Sequence, residues 1–191
     1  MDIRSFLAIE LPRDVRTTLE RVALEVRGCD LPVKWVKVQN IHLTIVFLGD
    51  VSPDVLEPIQ EQVQSVCLEF GPFRAAIEGM GTFPNRRNPR VLWLGLKGEL
   101  ERMSLFRNAL QQHLVPFGIK AEKRPFRPHL TLGRFRKGKH KGLDLEELIS
   151  RYGEIKSPSS MLGELVLFRS DLKPTGAVYT RLATWPLSGA K

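Results

Sequence analysis

The chain has 191 residues, 42% of them hydrophobic, which is ample for one large domain or for two small lobes that share a core. Its 29 lysines and arginines outnumber its 21 acidic residues, and the net charge of +8 favours a polyanionic partner, of which nucleic acid is the commonest. Two cysteines exclude a disulfide framework, and the sequence shows neither a signal-peptide pattern nor an apolar run long enough to span a bilayer, so we expect a soluble, cytoplasmic protein without membrane association.

Apolar residues in the first half of the chain recur with the periods of helices and strands. Helical spacing predicts one helix from Val15 to Val26, ended by Gly28, and a second helix with an apolar stripe from Ile59 to Phe70, which becomes regular near Pro58. We predict strands at Phe6–Ile9, at Trp35–Val38 and from Ile41 to Leu48, the last of them ended by Gly49 and Asp50.

The second half of the chain repeats this mixture of helices and strands. Helices are predicted at Leu100–Leu114 and Leu145–Tyr152. Strand patterns lie at Phe73–Ile77, Val91–Leu96, Leu162–Phe168, Ala177–Trp185 and within Phe126–Phe135, with a basic loop at Phe83–Arg90 and a turn at Lys173–Gly176. The sequence therefore predicts an α+β fold of two similar lobes.

One short motif occurs twice, about half a chain apart. Its copies are Ile41-His42-Leu43-Thr44-Ile45 and Pro128-His129-Leu130-Thr131-Leu132. Because side chains alternate along a strand, the histidine and threonine of each copy share one face while leucine points to the other. A lone histidine on an apolar strand is more often a hydrogen-bonded core residue, but two of only four histidines in one context predict a single active site in a cleft between the lobes.

Two imidazoles and two hydroxyl groups are suited to general acid–base chemistry at phosphorus. One ring can take a proton from an attacking oxygen while the other gives a proton to the departing oxygen, and threonine hydroxyls can donate hydrogen bonds to the other phosphate oxygens. A metal-dependent hydrolase is the first alternative, but the motifs contain no carboxylate, and threonine is a poor zinc ligand. A serine or cysteine nucleophile is the second, but no G-x-S-x-G sequence occurs.

Basic residues are concentrated around the second motif. The run contains a single acid, Glu122, and nine cations: Lys120, Lys123, Arg124, Arg127, Arg134, Arg136, Lys137, Lys139 and Lys141. Such a run is either a solvated loop or a rim that attracts phosphate, and its place around His129 favours the rim. The other two histidines, His113 and His140, lack the motif's context and are predicted to be surface residues.

The two motifs with their flanks, His42-Leu43-Thr44-Ile45-Val46-Phe47-Leu48-Gly49 and Arg127-Pro128-His129-Leu130-Thr131-Leu132-Gly133-Arg134-Phe135, resemble the paired H-x-T signatures of the two-histidine phosphoesterases. The segments Phe6–Pro12 and Gly81–Pro84 resemble in particular the RNA 2′,3′-cyclic phosphodiesterases, also called 2′-5′ RNA ligases. The resemblance implies one bilobal domain over residues 1–191, in which two pseudo-symmetric lobes with antiparallel sheets form a central groove and carry helices on their outer faces.

The resemblance also implies an activity and a role for each motif residue. The activity is metal-independent and cofactor-free hydrolysis of an RNA terminal 2′,3′-cyclic phosphate to a 2′-phosphate, with 2′-5′ ligation as the reverse reaction. His42 would be the general acid, His129 the general base, and Thr44 and Thr131 would bind the phosphate. Phe47 would stack on a nucleobase and Arg134 would contact substrate, although a core role for Phe47 and a rim charge at Arg134 are the structural alternatives.

Three functions remain open at this point. The first is the RNA phosphodiesterase, acting as a monomer without an obligate protein partner. The second is a phosphodiesterase for small cyclic nucleotides, and the third is a protein that binds RNA ends without turnover.

Overall fold

Nine strands and four α-helices make up the part of the chain that the computed structural model describes, namely residues 1–138, 145–174 and 176–191. The helices are α1 (Arg13–Arg27), α2 (Leu56–Glu69), α3 (Leu100–Leu114) and α4 (Glu146–Arg151). The strands are β1 (Ile3–Ile9), β2 (Val33–Trp35), β3 (Leu43–Val51), β4 (Phe73–Phe83), β5 (Val91–Gly98), β6 (His129–Phe135), β7 (Ser160–Leu162), β8 (Glu164–Lys173) and β9 (Gly176–Pro186).

The strands form two antiparallel sheets, and each sheet takes strands from both halves of the chain. A four-stranded sheet has the order β3-β1-β8-β9, and a five-stranded sheet has the order β2-β6-β5-β4-β7. The first motif opens β3, at the edge of the smaller sheet, and the second opens β6, next to the edge of the larger one. Contacts between β3 and β6 bring the motif strands of the two sheets together, so the predicted α+β class with two antiparallel sheets is confirmed.

The helices cover the sides of the sheets that carry the main core. Helix α1 buries one stripe at helical spacing, formed by Val15, Leu19, Val22 and Val26, and it contacts β4 of the larger sheet together with α4. Helices α2 and α3 pack on each other, and α3 contacts β3. None of the described helices has both the length and the apolar character needed to cross a membrane.

Three predicted boundaries in the first half of the chain are wrong, each for a local reason. The strand predicted at Trp35–Val38 ends at Trp35. The Arg27 guanidinium donates a hydrogen bond to the Val36 carbonyl oxygen at 2.6 Å, and the chain then turns through a 3₁₀ helix. Gly49 does not end the first motif strand; it takes a φ of +79° and still pairs with Ser5, so β3 continues to Val51.

The third wrong boundary concerns β4, which continues to Phe83 through a segment that sequence composition left outside any strand. A register shift between Ile77 and Met80, with Gly79 at a φ of +76°, absorbs the irregularity and lets pairing with β5 resume. In the second half of the chain, the strand predicted at Leu162–Phe168 is divided: Leu162 ends the short strand β7, and β8 begins at Glu164 and continues to Lys173. The predicted turn at Lys173–Gly176 includes Thr175, which lies outside the described residues.

The structure describes only part of what was predicted for the two remaining histidines and for the basic run. His113 is only partly exposed on α3, where its Nδ1 lies 3.1 Å from Gln62 Oε1. His140, Lys139 and Lys141 lie outside the described residues. Within the described part of the basic run, Arg124 is neutralised by an ion pair with Glu122 at 2.5 Å.

Candidate active site

A groove of about 500 Å³ lies between the two sheets, lined by residues of β1, β2, β3, β6, β8 and β9. Five of the six residues singled out in the sequence line it: His42, Thr44, Phe47, Thr131 and Arg134. The sixth, His129, is half-buried on β6 two positions before Thr131, on the same face, with the fully buried Leu130 between them on the other. The structure therefore brings His42 and Thr44 of the first copy to one groove with Thr131 of the second, while His129 is not among the lining residues and lies beside them on the same strand face as Thr131.

The His42 ring sits among three aromatic side chains contributed by β1, β8 and β9. It stacks on Phe6 with 4.7 Å between ring centroids and on Phe168 at 5.9 Å, and Tyr179 meets it edge-on at 5.3 Å. Burial in this cluster lowers the pKa of His42 to about 4, because an imidazolium ion there loses its hydration. The ring is therefore neutral at pH 7 in the substrate-free protein.

The His129 ring has a milder version of the same surroundings. Phe83, the last residue of β4, packs edge-on against it with 4.9 Å between centroids. Burial lowers the pKa of His129, and the positive charge of Arg134 lowers it further. Both rings thus favour the neutral form before an anion arrives.

Each histidine is oriented by the backbone two residues before it. His129 Nδ1 lies 2.8 Å from the Arg127 carbonyl oxygen, and the backbone of Asn40 bonds the His42 ring and raises its pKa, as expected when a ring N–H donates to a carbonyl. A neutral ring that donates from Nδ1 has an unprotonated Nε2. For His129 this leaves Nε2 as the ring atom able to accept a proton.

A β-bulge follows the threonine of each motif, at the same position in both copies. On β3 the register moves from Leu7↔Val46 to Ala8↔Thr44, which leaves Ile45 as an extra residue. On β6 it moves from Leu92↔Gly133 to Trp93↔Thr131, which leaves Leu132 as an extra residue. A bulge reverses the alternation of faces beyond it.

This reversal decides where Phe47 and Arg134 point. Strict alternation would place both on the face opposite the threonine three positions earlier, towards the core. With the bulges, both residues line the groove, and Phe47 is 50% exposed. The core role considered for Phe47 is therefore wrong. The Arg4 guanidinium lies over the Phe47 ring, 4.6 Å from its centre.

The groove is strongly cationic. Four of its lining residues are Arg4, Lys34, Lys37 and Arg134, and none of the described lining residues is acidic. No ion pair joins any of these four to a carboxylate of residues 1–138, 145–174 or 176–191. An anion that enters the groove meets unneutralised positive charge from both sheets.

Sequence reasoning missed the residues that surround the histidines. Phe6 and Phe83 lie in segments that carried the family resemblance, but their contacts with His42 and His129 could not be read from them. Phe168 and Tyr179 lie more than a hundred positions after His42, and no local pattern links them to it. The buried Arg107 of α3 was also missed; it donates to the carbonyls of Glu122 and Arg124 and so holds the segment that leads to His129.

If the aromatic cluster lowers the pKa of His42, a substitution that opens the cluster should raise that pKa. Tyr179→Ala opens the edge of the cluster to water, so the pKa of His42 should rise from about 4 towards 6.5. Tyr179→Phe keeps the ring and should leave the pKa near 4. The shift of the His42 ring proton resonance with pH, followed by NMR, measures both. A pKa near 6.5 in the unsubstituted protein would contradict the assigned role of burial.

Comparisons with known proteins identify the family of the chain. The family model "LigT like Phosphoesterase" matches the chain twice, over residues 9–93 and 94–179, so that each match contains one motif. A relative from Methanothermobacter thermautotrophicus named RNA 2′,3′-cyclic phosphodiesterase is 35% identical over 98% of this chain and 100% of its own. A relative of the same name from Archaeoglobus fulgidus is 32% identical over 94% of this chain and 98% of its own.

Solved structures show the same architecture. A protein of Thermus thermophilus superimposes with a TM-score of 0.82 at 28% identity, over 99% of this chain and 100% of that one. LigT of Escherichia coli, solved in complex with 3′-AMP, superimposes with a TM-score of 0.75 at 25% identity, over 98% of this chain and 99% of that one. With a match over both halves and full-length relatives above 30% identity, the chain belongs to the LigT-like phosphoesterases, enzymes of the two-histidine superfamily.

Proposed function

We propose that this phosphoesterase hydrolyses the 2′,3′-cyclic phosphate at the 3′ end of RNA to a 2′-phosphate, by general acid–base catalysis between His42 and His129. The observation that carries the proposal is that the same local arrangement of residues occurs twice beside one groove. In both copies a histidine is bonded by the backbone two residues before it, a threonine lies two positions further on, and a bulge follows the threonine. The names of the relatives supply the substrate.

In the proposed reaction, a water oxygen attacks phosphorus while the bond between phosphorus and O3′ breaks. His129 takes a proton from the water through Nε2, and His42 gives a proton to the departing O3′. Thr44 and Thr131 donate hydrogen bonds to the two oxygens that belong to neither the attacking nor the departing group. The products are a 2′-phosphate and a 3′-hydroxyl, and no cofactor takes part.

The acid needs a source for its proton, because burial holds His42 neutral at pH 7. The cyclic phosphate carries a negative charge, and an opposite charge close to an imidazole raises its pKa. In the proposed cycle His42 therefore takes up its proton as the substrate binds. His129, whose pKa is lowered by burial and then by the positive charge of Arg134, is the proposed base.

The remaining groove residues suit the rest of a nucleotide. The half-exposed Phe47 ring offers a surface on which a base of any identity can stack, and Arg134 offers a planar fork for phosphate. All the proposed site residues come from residues 1–191 of one chain, which we propose to act as one bilobal domain and as a monomer. 2′-5′ ligation is the related step in which the 5′-hydroxyl of a second RNA replaces water as the nucleophile, so that a 2′-5′ linkage forms as the bond to O3′ breaks. Because a catalyst lowers the barrier in both directions, the reverse of that step would cleave the 2′-5′ linkage.

An assay with a defined RNA end tests this function. In the presence of a chelator, the purified protein should convert an RNA oligomer with a 2′,3′-cyclic phosphate into a product with a 2′-phosphate alone. A subsequent phosphatase step and NMR of the product distinguish the 2′- from the 3′-phosphate. Turnover of small cyclic nucleotides but not of RNA would favour the metabolite phosphodiesterase, and RNA binding without turnover would favour the end-binding protein.

A further inference from the structure

We propose that Lys34, Lys37 and Arg134 form a second phosphate site, which holds the phosphodiester on the 5′ side of the reacting nucleotide. This inference rests on the proposed function and deepens it, because it makes a chain of at least two nucleotides the preferred substrate. Lys34 and Lys37 belong to neither motif, and the resemblance gives them no role.

The register of the larger sheet builds this site. Lys34 of β2 pairs directly with Arg134 of β6, so the two cationic side chains stand opposite each other on the wall of one groove. Lys37 lines the same groove three residues further along the chain, where the backbone leaves β2. The bulge at Leu132 is what turns Arg134 to this side and completes the cationic pair.

Two like charges placed directly opposite each other destabilise a sheet. No described carboxylate forms an ion pair with Lys34, Lys37 or Arg134, and none lines the groove. A phosphate between Lys34 and Arg134 would convert their mutual repulsion into attraction for one anion.

The position of the site relative to Thr131 indicates which phosphate it takes. Thr131 pairs with Trp93 and Arg134 pairs with Val91, two residues away on β5. Arg134 therefore lies roughly 7 Å from Thr131 along the sheet. Lys34 lies one strand further away, at the edge of the sheet. This spacing suits two successive phosphates of one RNA molecule, the first held by the threonines and the second by Lys34 and Arg134. Because the cyclic phosphate is at the 3′ end of the RNA, the RNA continues from the reacting nucleotide only through its 5′ oxygen.

Three substrates with the same terminal base measure the contribution of the second phosphate. They are a 2′,3′-cyclic mononucleotide with a 5′-hydroxyl, the corresponding dinucleotide 2′,3′-cyclic phosphate, and the same dinucleotide with a neutral methylphosphonate linkage. The readout is the ratio of kcat/KM for each dinucleotide to that for the mononucleotide. The variants are the double substitution Lys34→Gln with Lys37→Gln, and Lys156→Gln as a matched control, since Lys156 is exposed beside the opposite edge of the same sheet.

The unsubstituted protein should favour the charged dinucleotide over the mononucleotide by roughly 10- to 100-fold, the range expected of hydrogen bonds to a charged group. The methylphosphonate should lose most of that preference. The double variant should lower the ratio for the charged dinucleotide about tenfold and leave little difference between the two dinucleotides, whereas Lys156→Gln should retain the full preference.

Other outcomes separate this inference from the proposed function. Equal kcat/KM for all three substrates in the unsubstituted protein would overturn the second phosphate site while leaving the proposed chemistry in place. An undiminished ratio in the double variant would show that Lys34 and Lys37 do not hold the phosphate and would likewise overturn it. Failure of the unsubstituted protein to hydrolyse any of the three would overturn the proposed function, and the second site with it.

Discussion

His42→Ala and His129→Ala are each expected to lower kcat on an RNA 2′,3′-cyclic phosphate by about 10²- to 10⁴-fold, the range that a positioned acid or base contributes. In the proposed reaction, each ring moves one of the two protons, and a step that needs both proton transfers is stopped by the loss of either. The double variant should therefore be little slower than the slower single variant, because the two residues act as a unit.

The matched control for this pair is His113→Ala. His113 is also half-buried, and it bonds Gln62 on the helical side of the smaller sheet, so its loss should leave kcat within about twofold of the unsubstituted value. Since His42 packs on Phe6, a folding defect must be separated from a catalytic one. His42→Gln keeps a polar side chain of similar reach, and far-UV circular dichroism with a denaturation midpoint reports the fold. Full activity in both alanine variants would remove the mechanism.

The sequence predicted the site correctly wherever the alternation of side chains along a strand alone decides which face a residue takes. The period of two places His42 and Thr44 on one face and Leu43 on the other, and the structure has Leu43 fully buried while Thr44 lines the groove. The same reasoning holds for His129 and Thr131. Local patterns therefore predicted the content of each motif, and the repeat predicted that both would face a common groove.

Alternation alone was misleading for Phe47 and Arg134. Only the family resemblance pointed to them, because a strict period of two sends both away from the threonines. The bulges that bring them back are a property of strand pairing, set by β1 for one motif and by β5 for the other. A bulge of this kind leaves little trace in a single strand's sequence, since Ile45 and Val46 are both buried and simply extend an apolar run.

The electrostatic state of His42 depended on contacts that are distant along the chain. Its low pKa arises from burial against Phe6, Phe168 and Tyr179, which three different strands deliver. The sequence offered a histidine of ordinary pKa near neutrality. The fold converts it into one that is neutral at pH 7. In the proposed cycle, the negative charge of the arriving substrate raises this pKa and so protonates the proposed acid.

Thr44→Val and Thr131→Val are each expected to lower kcat by about 10²- to 10³-fold, as the removal of one preorganised donor does in other enzymes. Valine matches threonine in shape and branching, so the change removes the hydroxyl and little else. Negative charge builds up on the two non-bridging oxygens as the bond to O3′ breaks. The lost hydrogen bond should therefore weaken the transition state more than the ground state, and KM should change far less than kcat.

Serine at the same positions provides the control for the hydroxyl. Thr44→Ser and Thr131→Ser keep the donor and should keep kcat within about tenfold of the unsubstituted value, the cost of a less rigid side chain. Because the threonines stand on different sheets and each is proposed to bind its own oxygen, the losses in the double valine variant should multiply. A double variant no slower than either single variant would mean that the two hydroxyls serve one oxygen, or that only one motif touches the phosphate, and the two-sided grip on phosphorus would have to be abandoned.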